Sequence, residues 1–237
     1  MLVLALDTST PAVTAGVVLV LQPHQVIEAM QAGTPATPVS VLAEHRVLNP
    51  FGHAEHLMPL ARAAVTEAGA TFADLDAVVV GLGPGPFTGL RVGVATAEAL
   101  GDALGRPVYG VASHDGVASS TAATGPFLVA TDARRREIYV SAFDADAHRT
   151  FGPVVTAPAD LPGRLARISP APVAVTGAGA DLAGLDLPRL AIGSAAGGLA
   201  AVAARDLVTG AVPGPLTPLY LRRPDVTEPA GPKPVLT

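Results

Sequence analysis

The sequence contains no cysteine and only one lysine, Lys233, which lies in a proline-rich tail. Without cysteine, the chain has no thiolate nucleophile, no disulfide framework and no cysteine-ligated zinc. Without an internal lysine, a buried catalytic or phosphate-clamping ammonium group is not expected. These absences exclude cysteine-based catalysis and disfavour lysine-dependent chemistry.

Long apolar runs and long basic runs are also missing. Asp7, Gln22 and His24 interrupt the first hydrophobic stretch, so no run reaches the roughly 18 residues that a membrane span needs. The first seven residues lack the basic start of a signal peptide, which predicts a first strand and a cytoplasmic protein without a membrane partner. The net charge is -5, and the one basic run is Arg134 to Arg136. Phosphate neutralisation dominates RNA binding, so we expect any tRNA contact only through a partner.

What is present is a chain of 237 residues, 49% of them hydrophobic, with alternating strand and helix patterns. The stretch from Gln31 to Ser40 carries glycine and prolines and is predicted to be a flexible loop insertion. Strands are predicted at 2–7, 12–21, 41–48, 108–111, 127–132, 137–143 and 173–175, and helices at 54–68, 88–104 and 194–207.

A pattern of strand, aspartate, turn and strand occurs twice, at Asp7 and at Asp132. Such an internal duplication predicts two related α/β halves. We place them at residues 1–108 and 109–212, followed by a tail at 213–237 whose end is expected to be mobile.

The most informative stretch runs from Gly81 to Arg91, where a β-branched strand leads through glycines and prolines into a helix. A Walker-type phosphate loop needs a closing Gly-Lys-Ser/Thr, and none is present. The dinucleotide fingerprint needs a glycine at Thr88, three residues after Gly85. A structural turn and a stiff ligand or partner loop both remain open. The residues of this conformational loop are Gly83, Pro84, Gly85, Phe87, Thr88, Gly89 and Arg91.

Hydrolase motifs are not formed. The zinc-binding helix motif places histidines four apart with glutamate after the first, whereas His53 and His56 are three apart and Glu55 is misplaced. Residues 193–197 lack the spacing of a nucleophile elbow.

Five segments together resemble the TsaB family, also called YeaZ. They are Leu4 to Thr10, His53 to Pro59, Gly81 to Arg91, Thr131 to Arg134 and Pro218 to Arg222. The resemblance spans most of the chain. It implies an α/β, two-lobed actin-like ATPase fold (ASKHA, RNase H-like), each lobe a mixed sheet flanked by helices.

The resemblance also implies a function. TsaB-like chains are non-catalytic scaffold or dimerisation subunits that bind TsaD, with the ATPase TsaE, for threonylcarbamoyl transfer to adenosine 37 of tRNA. Self-association is expected when the partner is absent. The alternatives are an actin-like ATPase or small-molecule kinase and, less favoured, a metallopeptidase of the M22 glycoprotease type.

By resemblance, the catalytic and cofactor sites of the wider family are lost here. Ser113 and Val117 stand where TsaD-like proteins carry two metal-ligating histidines, and His114 alone cannot hold a catalytic metal. Asp7, Thr8, Ser9 and Asp132 correspond to the two phosphate-binding turns of actin-like ATPases, yet the second turn has arginines where glycines are expected. This remnant site disfavours ATP binding, although arginine can contact phosphate. No cofactor, metal or catalytic residue is predicted.

The same resemblance places the partner surface on the helices at 54–68 and 88–104. The predicted partner contacts are Leu57, Leu60, Ala64, Val94, Ala97 and Leu104.

Overall fold

A computed structural model describes residues 1–32, 38–49 and 51–222. The first sheet has five strands, and the first strand lies at its centre because it pairs with both its hairpin partner and a parallel strand. In chain order the strands are β1 (Leu2–Asp7), β2 (Ala12–Val20), β3 (Val39–Leu48), β4 (Ala77–Gly81) and β5 (Val108–Val111), arranged as β3-β2-β1-β4-β5.

Helices cover both faces of this sheet, because alternate strand residues point to opposite faces and both sets are apolar. On one face, α2 (His53–Glu67) and α3 (Phe87–Leu104) bury Leu57, Ala64 and Ala97 against Leu4 and Val78. On the other face, α6 (Ala195–Thr209) buries its own apolar stripe. The first sheet is therefore a closed sandwich with a helix layer on each side.

The second sheet has four strands, β6 (Phe127–Asp132), β7 (Ile138–Phe143), β8 (Arg149–Thr156) and β9 (Ala174–Thr176), in the order β8-β7-β6-β9. Both sheets mix parallel and antiparallel pairs. The remaining helices are α1 (Pro23–Gln31), α4 (Ser113–Ser119) and α5 (Leu161–Leu165), with short 3-10 turns at Phe72–Asp74 and Pro158–Asp160. The predicted α/β class with two mixed sheets flanked by helices is confirmed.

Several sequence predictions need correction. The predicted loop at 31–40 overlaps two elements, since α1 ends at Gln31 and β3 begins at Val39. Its centre, residues 33–37, lies outside the described residues. Strand β8 and helices α1, α4 and α5 were not predicted. Of the tail, residues 213–222 are described and Leu219 N–H donates to the Leu82 carbonyl at 2.8 Å, whereas its predicted mobile end at 223–237 lies outside the described part.

The division of the chain at residue 108 stays a prediction, but two elements near or beyond it pack with the first sheet. β5 starts at Val108 and pairs with β4, and α6 covers the face that holds Val3 and Val18. Helix α6, which follows the second sheet in the chain, thus packs on the first sheet. Across the described residues, no helix is long and apolar enough to cross a membrane.

Candidate functional site

The glycine-rich loop after β4 packs on the turn between β1 and β2. The Thr8 hydroxyl donates to the Gly89 carbonyl at 2.7 Å. A Cβ at Gly85 would collide with the backbone of Ser9, and one at Gly89 would collide with the Thr8 carbonyl. These glycines are required because the chain's own backbone lies against them.

Asp7 lies at the end of β1 and is buried beneath that loop. Its Oδ1 accepts hydrogen bonds from the Ser9 N–H at 2.7 Å and the Ser113 hydroxyl at 3.4 Å. Burial raises the pKa of Asp7, and the bonds from Ser9 and Ser113 only partly oppose that rise. The carboxylate is engaged within the protein and is not presented to solvent.

His114, on α4, is also buried and bonded on both ring nitrogens. Nδ1 lies 2.8 Å from the Ser141 hydroxyl and Nε2 lies 2.9 Å from the Thr131 hydroxyl. Burial, aided by the charge of Arg149, lowers the pKa of His114 to about 3, so the ring is neutral at physiological pH. A ring with both nitrogens occupied cannot ligate a metal without breaking one of these bonds.

Asp7 and His114 line a cavity of about 50 Å³, which we call the closed cleft. It lies between the two sheets, where Thr131 and Gly177 complete its wall. Small-molecule sites usually have about 300–1,000 Å³. The closed cleft is therefore too small for a nucleotide in this conformation.

Asp132, the second predicted nucleotide-site aspartate, caps its own turn. Its Oδ1 accepts the Arg134 N–H at 2.7 Å. Arg134, Arg135 and Arg136 have φ values of 64°, 52° and 62°, the left-handed conformation that favours glycine. The turn thus has the backbone shape expected for glycines, but it displays three arginine side chains.

A larger cavity of about 530 Å³, which we call the open cleft, lies beside this turn. Its wall comes from the start of α2, the glycine-rich loop, the arginine turn and the C-terminal segment. Among the residues that line it are Phe51, Phe87, Arg134, Arg135, Tyr139, Tyr220 and Arg222. Three of these are arginines and none is a carboxylate.

The C-terminal segment is fastened across the open cleft by two side chains. Arg222 pairs with Glu137 and donates to the Ala133 carbonyl at 2.7 Å. The Tyr220 ring lies 4.7 Å from the Phe87 ring, between centroids, and Arg91 stacks over Phe87 at 4.0 Å. The Phe87 ring therefore contacts both an aromatic ring and a guanidinium group.

The predicted partner contacts divide by burial. Leu57, Ala64, Val94 and Ala97 are buried in the core of this chain, and in this conformation a partner cannot reach them. Leu60 and Leu104 are half-buried and pack against the same core. The apolar pattern of these helices is thus explained first by packing on their own sheet.

The outward sides of the two helices carry a different set. Met58, Arg62 and Thr66 are exposed on α2 and line a groove of about 730 Å³. In the same groove, His45 Nε2 of β3 lies 2.7 Å from the Glu67 carboxylate of α2. On α3, the exposed positions include the alanines Ala95, Ala99 and Ala103.

The histidines at the start of α2 have structural partners. His53 Nε2 lies 2.9 Å from the Thr10 carbonyl, and His56 Nε2 lies 2.9 Å from the Asn49 amide. In the described part of the chain, one metal-like group exists, formed by Asp144, Asp146 and His148 at the exposed β7–β8 turn. Asp144 there accepts the N–H groups of Asp146 and His148, so its carboxylate closes the turn.

Sequence reasoning missed Phe51, Tyr139, Tyr220 and Arg222 as residues of a cleft. Tyr220 and Arg222 belong to the quoted Pro218 to Arg222 segment, which was the one available signal. Phe51 carried no signal, because its place beside the arginine turn depends on how the two sheets pack.

The sequence of this chain is similar to those of known proteins. The family model of TsaD, tRNA N6-adenosine threonylcarbamoyltransferase, matches residues 51–204. An uncharacterized protein of Mycobacterium tuberculosis is 47% identical over 226 residues, which cover 94% of this chain and 92% of that protein. The tRNA threonylcarbamoyladenosine biosynthesis protein TsaB of Escherichia coli is 32% identical over 106 residues, 43% of this chain and 46% of TsaB.

Two solved structures share the fold. An uncharacterized Pseudomonas aeruginosa protein with similarity to peptidase YEAZ has a TM-score of 0.64 at 24% identity, covering 93% of this chain and 99% of its own. YeaZ from Pseudomonas aeruginosa has a TM-score of 0.59 at 23% identity, covering 90% and 98%. The predicted two-lobed actin-like fold is confirmed. The chain therefore belongs to the family that the TsaD model describes and is a TsaB-like, YeaZ-like member of it.

Proposed function

We propose that this chain is a non-catalytic subunit that binds a TsaD-like protein, with a TsaE-like ATPase, and so supports threonylcarbamoyl transfer to adenosine 37 of tRNA in the cytoplasm. Family membership supports a role in tRNA threonylcarbamoylation, since the matching family model and the E. coli relative are both named for that chemistry. The tRNA is reached through the complex.

The observation that carries the proposal is the closed cleft. Asp7 and His114 are the residues nearest to where this fold would hold a nucleotide or a metal. Their polar atoms are hydrogen-bonded to Ser9, Ser113, Thr131 and Ser141. A cavity of about 50 Å³ leaves no room for a phosphorylated substrate. This arrangement favours a chain that acts by binding over one that acts by chemistry.

The outward side of α2 and α3 is the surface we assign to the partner. Met58 is 36% exposed beside the groove. The exposed alanines of α3 permit close approach of another helix, since small side chains reduce the distance between helix axes. A second copy of this chain is the alternative occupant when the partner is absent, because exposed apolar surface favours association.

The test mixes this chain with the TsaD-like protein of the same organism and measures complex formation by size-exclusion chromatography with light scattering. We expect Met58→Glu to weaken the complex at least about tenfold, because an unpaired charge in an apolar interface is costly. Val202→Glu is the matched control, since Val202 is 40% exposed on α6, away from this surface. Both variants should keep the wild-type circular dichroism spectrum.

Equal binding by wild type and Met58→Glu would move the partner surface elsewhere, and no binding by wild type would reject the subunit role. Calorimetry with magnesium and ATP on the chain alone should show no heat of binding. Saturable binding that is lost in Asp7→Asn would instead favour the ATPase alternative.

A further inference from the structure

The open cleft combines features that the proposed subunit role does not use. It has about 530 Å³, it is lined by three arginines without a carboxylate, and it carries aromatic rings on two walls. Phe51 is 89% exposed and Tyr220 is 40% exposed. Two aromatic rings are thus accessible to solvent in the same cleft as the arginines.

The arginine turn is the second feature. Three consecutive arginines adopt left-handed backbone, which non-glycine residues rarely adopt, and each pays a conformational cost there. Within the described residues, the side chains of Arg134 and Arg136 form no ion pair, whereas Arg222 is paired with Glu137. For Arg134 and Arg136, no ion pair among the described residues explains why arginine stands in a conformation that favours glycine, and a local conflict of this kind points to a ligand.

We propose that the open cleft binds single-stranded RNA, with the arginine turn on phosphates and Phe51 and Tyr220 against unstacked bases. Exposed aromatic rings beside guanidinium groups suit single-stranded RNA, because every base has a face that can stack and every nucleotide a phosphate. Arg134 and Arg135 are exposed to solvent in this cleft, which suits a chain passing over it better than an enclosed small anion. The link to the anticodon loop of tRNA rests on the proposed function.

The net charge of the whole chain opposes RNA binding and therefore limits the affinity. With a net charge of -5, the protein repels RNA at long range, so a patch of a few arginines gives weak binding alone and becomes useful when a partner holds the RNA nearby. The open cleft begins at Phe51 and Ala54, at the start of α2, so it adjoins the surface assigned to the partner. RNA held by that partner would lie within reach.

The test uses the full chain in two settings. The probes are a fluorescein-labelled single-stranded RNA hexamer with the chain alone at low salt, and unmodified tRNA with the complex of this chain and the TsaD-like protein. Binding is followed by fluorescence anisotropy across a salt series. The variant is the double substitution Arg134→Gln and Arg135→Gln, the two arginines of the turn that line the cleft. The matched control is Arg167→Gln with Arg205→Gln, two exposed arginines on other surfaces.

We expect the double variant to weaken hexamer and tRNA binding by about threefold to tenfold, and to reduce the salt slope by roughly 1.4, since each lost single-strand phosphate contact contributes about 0.7. The control should leave affinity and slope unchanged. Both should bind the TsaD-like protein like wild type.

Unchanged hexamer binding in the double variant would overturn the inference, whatever happens with the complex. If the double variant lost binding to free ADP or inorganic phosphate but kept the wild-type affinity for RNA, the inference would also be overturned, because the cleft would then bind a small anion. Failure to form the complex rejects the proposed function alone, and the hexamer experiment still decides the RNA site.

Discussion

The closed cleft and the open cleft lie next to each other, but the side chains that line them differ in whether they bond within the protein or are exposed. Ser9, which lines the closed cleft, contacts Gly85, which lines the open cleft. In the closed cleft, Asp7 and His114 bond to other residues of the chain. In the open cleft, two arginines of the turn and the rings of Phe51 and Tyr220 are exposed to solvent. Polar residues that attract notice in a sequence can thus be structural, whereas a residue without a motif, such as Phe51, can line a cleft.

Gly85 is the contact between the two clefts, and its substitution should have the largest effect. A Cβ at this position would collide with the Ser9 backbone, which cannot move without disturbing the β1–β2 turn. We expect Gly85→Ala to lower the free energy of unfolding by about 3 kcal/mol. Urea unfolding followed by circular dichroism measures this change.

Gly163→Ala is the control, because nothing lies within 4 Å of a Cβ built there. Its free energy of unfolding should stay within about 0.5 kcal/mol of wild type. Equal stability of the two variants would contradict this prediction. It would mean that the glycine-rich loop can move away from the β1–β2 turn at little cost in free energy.

His114 tests whether the closed cleft is structural. Burial lowers its pKa to about 3, whereas the unfolded chain titrates near 6.5. As pH falls below 6.5, the unfolded state takes up a proton that the folded state does not, so the free energy of unfolding falls. From pH 7 to pH 5 this one group should cost roughly 2 kcal/mol.

The measurement compares urea midpoints at pH 7 and pH 5 for wild type and His114→Gln. Glutamine keeps hydrogen-bonding capacity toward Ser141 and Thr131 without titrating. Asp7 acts in the opposite direction, since its raised pKa favours the folded state as pH falls below that value. A variant that loses as much stability as wild type between the two pH values would remove His114 as the cause.

The sequence predicted the elements that carry their own pattern. β1 and β4 are continuous apolar runs, and α3 ends where Gly105 adopts left-handed backbone, as a glycine after a helix indicates. α1 was missed because none of its residues is buried, so no core-facing stripe exists. β8 was missed because Gly152 and Pro153 interrupt its alternation.

The candidate site was less predictable than the fold. Asp7 and Asp132 were found because each ends a strand before a turn, yet the sequence could not show that one is buried under a loop. For Val94, helical spacing identified an apolar stripe, but only packing shows that the protein's own sheet covers it. Phe51 and Tyr220 are 169 residues apart by number and line the same cleft only because of the tertiary fold.

Ser194 ties the closed cleft to α6. Its hydroxyl accepts the Gly197 N–H at 2.8 Å as a helix N-cap, and Glu44, which lines the closed cleft, accepts the Ala196 N–H at 2.8 Å. We expect Ser194→Ala to lower the free energy of unfolding by about 1 kcal/mol, the usual cost of a lost cap. Ser119→Ala is the exposed control, and equal urea midpoints for the two variants would show that Glu44 alone holds the helix start.

Phe51→Ala should have the smallest effect on stability and separates the two clefts most sharply. Phe51 is 89% exposed, so its removal should change the free energy of unfolding by less than about 0.5 kcal/mol, while Phe143→Ala, a buried control, should cost about 3–5 kcal/mol. If the ring stacks on a base, Phe51→Ala should also weaken binding of the RNA hexamer, where each stacked base is worth about 1–3 kcal/mol. A stable variant with unchanged hexamer affinity would show that Phe51 does not contact the RNA and would leave the arginine turn as the RNA contact. A destabilised variant would show that Phe51 contributes to the packing of the open cleft. The two clefts would then differ only in how many of their side chains are structural.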